Sequence, residues 1–216
     1  MGAAQTKERI IKCTTDLILE RDGDLNAVTI RKIATRAKIG VGLVNHYFVS
    51  KEQLVSMCIE AVFEELFDML TGSPESESIL ASGGEITRDE ATTNAAKAVL
   101  SFLLSHDAIA RAALLRNAAE PSSGDYTSRL VDAFAYAMVD PKKLTEVENN
   151  PRMNERMKKQ FIEHFVNEQR IKSFMIISSI KEAFLRRESL KDTLSADLSD
   201  EEARDGFMDS LMEQLL

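Results

Sequence analysis

Between Thr29 and Leu54 the chain reads TIRKIATRAKIGVGLVNHYFVSKEQL, and no other stretch restricts the fold as much. Ile30, Ile33, Ala34 and Ala37 recur three and four residues apart, which makes one narrow apolar face on a short helix. Thr29 stands where its side-chain oxygen can cap that helix, and Arg31, Lys32, Thr35 and Arg36 fall on the opposite face. Ala34 is small where a second helix must cross closely. A tight turn follows at Ala37-Lys38-Ile39-Gly40, with Ile39 as its inward plug. In the next helix, Val41 to Tyr47, only Val44 is placed to meet a core, with Phe48 four residues on. Val41, Gly42, Leu43, Asn45, His46 and Tyr47 are left partly or wholly outside. Gly42 costs about 1 kcal/mol against alanine in a helix, so its presence points to a close approach by another body. Ser50 and Gln53 form a capping box ahead of Leu54, Val55, Met57 and Cys58, so a longer helix starts near Lys51. A short helix with so little apolar cover, beside basic residues, suits a nucleic-acid groove.

In order and spacing, Ile33-Ala34, Ala37, Ile39, Gly42, Val44, Tyr47-Phe48, Ser50-Lys51-Glu52 and Leu54 resemble the TetR family of bacterial transcription regulators. With a preceding helix at about Ala4 to Glu20, the resemblance covers about the first quarter of the chain. Three positions depart from the family pattern. Lys38 replaces a usual turn glycine, Gly40 replaces a capping Ser or Thr at about 0.5 kcal/mol, and Asn45 replaces a phosphate-contacting Tyr. Asn suits either a phosphate or the edge of adenine.

The resemblance implies an all-α protein of about nine helices. Residues 1–50 would be a three-helix DNA-binding domain with its helix-turn-helix at about 28–48. Residues 51–216 would bind an effector and dimerise. It also implies that Thr29, Arg31, Tyr47 and Lys51 grip phosphate, while Val41, Gly42, Leu43 and Asn45 face the bases. Gly40 and His46 join that surface. In the family a small molecule in the body usually lowers DNA affinity, which makes such a protein a repressor relieved by its ligand.

The charge of −8 over 216 residues argues at first against a polyanionic partner. Its distribution reverses that: residues 1–51 carry nine Lys and Arg against five Asp and Glu, and residues 52–216 carry eighteen against thirty. A basic end on an acidic body orients the molecule towards DNA without collapsing the body onto it. The N-terminus lacks an apolar leader, and no run approaches the roughly 20 apolar residues of a membrane span. Cys13 and Cys58 are isolated, without metal or redox spacing. Together these features lead to the expectation of a cytoplasmic protein with two reduced, buried thiols, a redox switch between them being the alternative.

Beyond Leu54 helical periodicity continues without strand-like alternation. Helices are expected over Lys51 to about Leu70, Arg88–Ser105, Asp107–Glu120 and Ser122–Val139. Thr71 to Thr87, rich in Ser, Gly and Glu, reads as a mobile loop or a frayed helix start. A long helix is expected from Pro151, at its first position, to about Glu188, and a last one behind a capping box from Ser199 to Glu202. Ser173 to Ile180 is apolar on more than one face, so both a core and a second copy of the chain are expected to cover it. The expected dimer contact takes Phe174, Ile177, Ile180 and Phe184 from the long helix and Phe207, Met208, Leu211 and Leu215 from the last. A monomer using both helices as core is the other reading.

Phe67, Phe102, Phe134, Met138 and Phe165 are the candidates to line an effector cavity, with tight core packing as the alternative. His106, Arg111, Arg116, Asn117 and Glu120 could orient an effector or form ordinary surface pairs. The three histidines, His46, His106 and His164, have no companion at metal-ligand spacing. Gly83-Gly84 lacks the Lys-Ser/Thr of a phosphate loop, and no GxSxG elbow occurs. No catalytic residue, metal or cofactor is expected. The expected partners are double-stranded DNA at a near-palindromic operator, a second copy of the chain and a small-molecule effector. The competing function is a helical protein-interaction module, which the retained basic residues Arg31, Lys32, Arg36, Lys38 and Lys51 disfavour.

Overall fold

The computed structural model describes residues 2–21, 24–71, 87–122 and 124–216. The loop expected between Thr71 and Thr87 lies at 72–86 outside the described residues. Among the described residues there are eleven helices and no strand, as the uninterrupted helical periodicity requires. They are α1 Ala3–Leu19, α2 Ile30–Arg36, α3 Val41–Tyr47, α4 Lys51–Thr71, α5 Arg88–Ser105 and α6 Asp107–Ala119. The rest are α7 Tyr126–Met138, α8 Pro141–Glu148, α9 Glu155–Leu185, α10 Arg187–Leu194 and α11 Glu201–Leu215.

The chain divides into two compact units. The first comprises Met1–Asp68 and Phe102–Pro121, the second Met69–Ser101 and Ser122–Leu216. The boundary read at residue 50 thus falls inside the first unit, which reaches through most of α4 and takes in α6. The reason is apolar cover. Leu54, Val55, Cys58, Ile59 and Phe63 of α4 are buried, as are Ile109, Ala110, Ala113 and Leu114 of α6. The Cys58 thiol donates to the Ile11 carbonyl of α1 at 3.5 Å, and Arg116 of α6 donates to Ser56 Oγ of α4 at 2.5 Å. On α1, Ile10, Thr14, Leu17 and Ile18 form the buried stripe. Cys58 is buried as expected and its thiol is pushed up to about 11 by that burial. Cys13 is only half-buried, because it lies off that stripe.

In the second unit Leu130, Phe134, Ala135 and Met138 of α7 pack against Ser173, Ile176, Ile177 and Ile180 of α9. Ser173 Oγ donates to the Val131 carbonyl at 2.6 Å, which satisfies a hydroxyl inside that contact. Lys97 of α5 reaches Asp209 of α11 at 2.7 Å, and Lys172 of α9 donates to the Leu216 carbonyl at 3.1 Å.

Several expected boundaries move. Pro151 does not open the long helix. Asn154 caps it by accepting from Met157 N–H at 2.9 Å, while Arg152 N–H is drawn to Asn150 Oδ1 in the turn before it. The first-turn proline belongs instead to Pro141, which starts the separate helix α8 behind the cap Asp140. The long helix stops at Leu185, and α10 follows as its own element. The last helix is capped by Asp200, which accepts from Ala203 N–H at 2.9 Å. Ser199 turns back to Asp197 at 2.5 Å and so is unavailable as the cap.

Candidate nucleic-acid interface

α2 is held through its cap, its apolar face and the side chains of Lys32, Thr35 and Arg36. Thr29 Oγ1 accepts from Lys32 N–H at 3.4 Å, the expected N-cap. Ile33 and Ala34 are buried, and Ala37 closes the same face. Lys32 Nζ donates to the Ala27 carbonyl at 2.7 Å, and Thr35 Oγ1 donates to the Arg31 carbonyl at 2.9 Å. Arg36 donates to Oε2 of Glu20, the C-cap of α1, at 2.6 Å and lies 3.9 Å from Asp16. That hydrogen bond holds the Glu20 carboxyl below the ordinary carboxylate value and raises the Arg36 guanidinium. A basic residue on the sequence is therefore not always a basic residue on offer.

α3 is held at one point and displayed elsewhere. Val44 is its single buried residue, and Phe48 is buried just past its end. Val41 and Leu43 are exposed at 41% and 39%, Gly42, Asn45 and His46 are exposed, and Tyr47 is half-buried. The His46 and Tyr47 rings meet edge to face at 5.4 Å. Gly40 caps the helix without a side-chain bond. A Cβ added at Gly42 would meet nothing within 4 Å, so the protein itself imposes no need for glycine there. In the preceding turn Lys38 has φ 53, the left-handed conformation that a glycine would adopt without strain.

Behind α3 the chain is locked by the expected capping box: Gln53 N–H donates to Ser50 Oγ at 3.1 Å. The return bond reaches one residue further back, from Val49 N–H to Gln53 Oε1 at 2.8 Å. Lys51 sits in the first turn of α4, and its ammonium donates to the Leu25 carbonyl at 2.8 Å. Two of its three donors stay available to an anion. Arg31 and Lys38 have no side-chain hydrogen bond or ion pair among the described residues, and both are exposed. Thr29, Arg31, Lys38 and Lys51 thus supply one hydroxyl and three cations from the elements that precede and follow α3 in the chain. The ties of Lys32 and Lys51 to carbonyls of the 24–27 loop were not readable in sequence, because a backbone carbonyl carries no residue signature.

The remaining candidates divide by unit. Phe67 and Phe102 are buried in the first, where Phe102 stacks on His106 at 4.2 Å. Phe134 and Met138 are buried in the second. Phe165 is half-buried, stacked against Phe161 at 6.5 Å with Lys143 Nζ 5.3 Å from its ring. The second unit has a cleft of about 410 Å³ lined by Arg88, Ala91, Tyr136, Val139 and Leu144, and none of these five candidates. Arg88 is fixed there by the Ala137 and Val139 carbonyls at 3.0 Å each. Of the polar candidates, Arg111 pairs with Asp107 at 3.6 Å and His106 Nδ1 lies 3.0 Å from the Phe102 carbonyl. Of the residues read as a dimer contact, Ile177, Ile180, Phe184 and Met208 are buried inside their own unit. Phe174 is 57% exposed, and Phe207, Leu211 and Leu215 are half-buried. Among the described residues no group of three His, Cys, Asp or Glu side chains is placed to hold a metal ion, and no single helix is long and apolar enough to cross a membrane.

Residues 14–58, from within α1 to within α4, match the family of bacterial regulatory proteins of the tetR type. A solved structure of a tetR-family transcriptional regulator from Streptomyces coelicolor is 18% identical, at a TM-score of 0.47. The match covers 100% of this chain and 90% of that one. No curated protein matches the chain.

Proposed function

We propose, from the match of residues 14–58 to bacterial regulatory proteins of the tetR family, that this chain is a homodimeric transcription repressor that a small-molecule effector releases from a near-palindromic operator. The observation that carries the DNA-binding part is the contrast at α3. One buried residue, Val44, holds a helix whose other six residues are exposed or half-buried, and the neighbouring α2, turn and α4 carry Arg31, Lys38 and Lys51. Lys51 and Arg31 would hold phosphate and fix the register, which leaves α3 to specify sequence. One such helix reads a few base pairs. Two, related by a twofold axis, reach half-sites one DNA turn apart, about 34–36 Å.

Dimerisation is supported by the outward face of α9, where Ile171, Phe174 and Met175 lie together on one stripe and are all exposed. Since Ile177, Ile180 and Phe184 serve the unit's own core, the partner copy would seat on the Phe174 side, beside Phe207, Leu211 and Leu215 of α11. An effector that prefers a body conformation with the two α3 helices at the wrong spacing would release the DNA.

The test is fluorescence anisotropy with duplexes from the DNA upstream of the chain's own gene. Specific, salt-sensitive binding at two protomers per site is expected. Equal weak binding to every duplex, or none, overturns the proposal.

A further inference from the structure

We infer that the base pairs under α3 are A·T pairs, read by apolar contact of Val41 and Leu43 with thymine methyl groups and by Asn45 on the edge of adenine. This rests on α3 being the DNA-reading helix and goes on to say what it reads.

The major groove offers four distinct edges, and each calls for a different side chain. Guanine presents two acceptors, which a cation with several donors grips in bidentate fashion. Cytosine presents a donor, which suits a carboxylate. α3 carries the sequence VGLVNHY, with no Arg, Lys, Asp or Glu. Neither half of a G·C pair therefore has its usual reader on this helix. An A·T pair asks for different groups. Adenine shows an acceptor beside a donor, which matches the carboxamide of Asn45, and thymine shows a methyl that apolar side chains can cover.

The exposures agree with that division. Val41 and Leu43 each leave about two-fifths of their surface to water although they belong to a small helix beside a well-filled core. At 100° per residue Gly42 and His46 point most directly away from the buried Val44. Gly42 has no neighbour within 4 Å of its absent Cβ, so the middle of the displayed face is bare. The backbone can settle into the groove there, with Leu43 to one side and Val41 and Asn45 to the other. His46 sits on the same line one turn on, with its ring against Tyr47. The His46 ring can bond a single group on the edge of either pair, so it discriminates least. The unpartnered cations Arg31 and Lys38 lie off α3, on α2 and in the turn. Any guanine in the site is accordingly read outside the α3 footprint.

The experiment is selection of binding sites from a random duplex pool by the full chain, followed by affinity measurements on the selected site. Each thymine is then replaced in turn by deoxyuridine, which removes only the methyl. A·T-rich half-sites are expected, with affinity falling about threefold to fourfold for each methyl covered. Leu43→Ala should abolish the deoxyuridine effect at one or two fixed positions while the protein keeps its melting temperature. Asn45→Ala should relax the preference at one adenine by about tenfold or more. Selection of a G·C core at the positions that Leu43→Ala and Asn45→Ala affect overturns the inference and leaves the regulator reading standing. So does binding insensitive to every deoxyuridine. If no sequence is enriched at all, the regulator reading falls and takes the inference with it.

Discussion

α2 and α3 are both seven-residue helices in the same unit, yet the chain treats them in opposite ways. α2 buries Ile33 and Ala34, caps itself with Thr29 and commits Lys32, Thr35 and Arg36 to internal partners. α3 buries Val44 alone, has a glycine cap and, among the described residues, leaves Asn45 without a hydrogen-bond partner and His46 against the Tyr47 ring only. A seven-residue helix is too short to persist in water by itself. α3 must therefore borrow its order from α2 through the turn and from Val44 and Phe48. The difference teaches that a reading element is made by withholding interactions, and that its neighbour must be over-tied to compensate. The sharpest way to break that contrast is a pair of truncations. Ile33→Ala, at a site with no exposure, is expected to cost about 2–5 kcal/mol in urea unfolding. Leu43→Ala is expected to stay within about 0.5 kcal/mol of the parent and to lose DNA affinity. Equal losses of stability in the two variants would mean that α3 is core as much as α2 is.

A middle-sized effect is expected at the joint between the two helices. Lys38 holds φ 53, which strains a residue with a side chain. Lys38→Gly should relieve that strain and stabilise the unit by about 0.5–1 kcal/mol, since glycine meets no penalty there. The same change removes one of the cations without a partner, so the dependence of log affinity on log salt should flatten by about 1. The urea midpoint and a salt titration report the two effects separately. A lower midpoint for Lys38→Gly would show that this lysine is tied down like Lys32 of α2, and would remove it from the displayed side of the comparison.

Much of this contrast was legible in the order of residues. The bounds of α2 and α3, the Thr29 cap and the Ser50–Gln53 box follow from local rules, and the structure keeps them. α3 stood out because apolar cover was missing, and a missing pattern is as readable as a present one. What could not be read was which cations were already engaged. Lys32 and Lys51 bond carbonyls of Ala27 and Leu25, and Arg36 reaches Glu20 sixteen residues away. Those partners depend on how the 24–27 loop and α1 are folded, and spacing within a helix carries no trace of that. In the second unit the errors were of punctuation. Two prolines, Pro141 and Pro151, both signal a helix start, and only the competing caps Asp140 and Asn154 decide between them. The break at Arg186 divides α9 from α10 without proline or glycine, so no local rule announces it.

The finest distinction between the two helices is electrostatic, and pH can tune it. The Arg36 hydrogen bond lowers the Glu20 carboxyl from its ordinary value of 4.5. A carboxyl whose folded value lies below its unfolded one stabilises the fold fully above the unfolded value. That contribution is lost as the pH falls through the folded value. The difference in melting temperature between the parent and Glu20→Gln should therefore be constant from pH 7 down to about 5. It should shrink steadily on further acidification and shrink again in high salt, because both partners lie at the surface. A difference that persists unchanged at pH 3 would mean that the pair is not its source. The same variant has a second consequence at pH 7. With Glu20 uncharged, Arg36 is released from its strongest partner and joins Arg31 and Lys38 as a cation on offer. Binding to DNA of any sequence should then tighten, and the salt dependence should steepen by up to about 1. An unchanged slope would place Arg36 out of reach of the phosphates, and its role would then be confined to fastening α2 to α1.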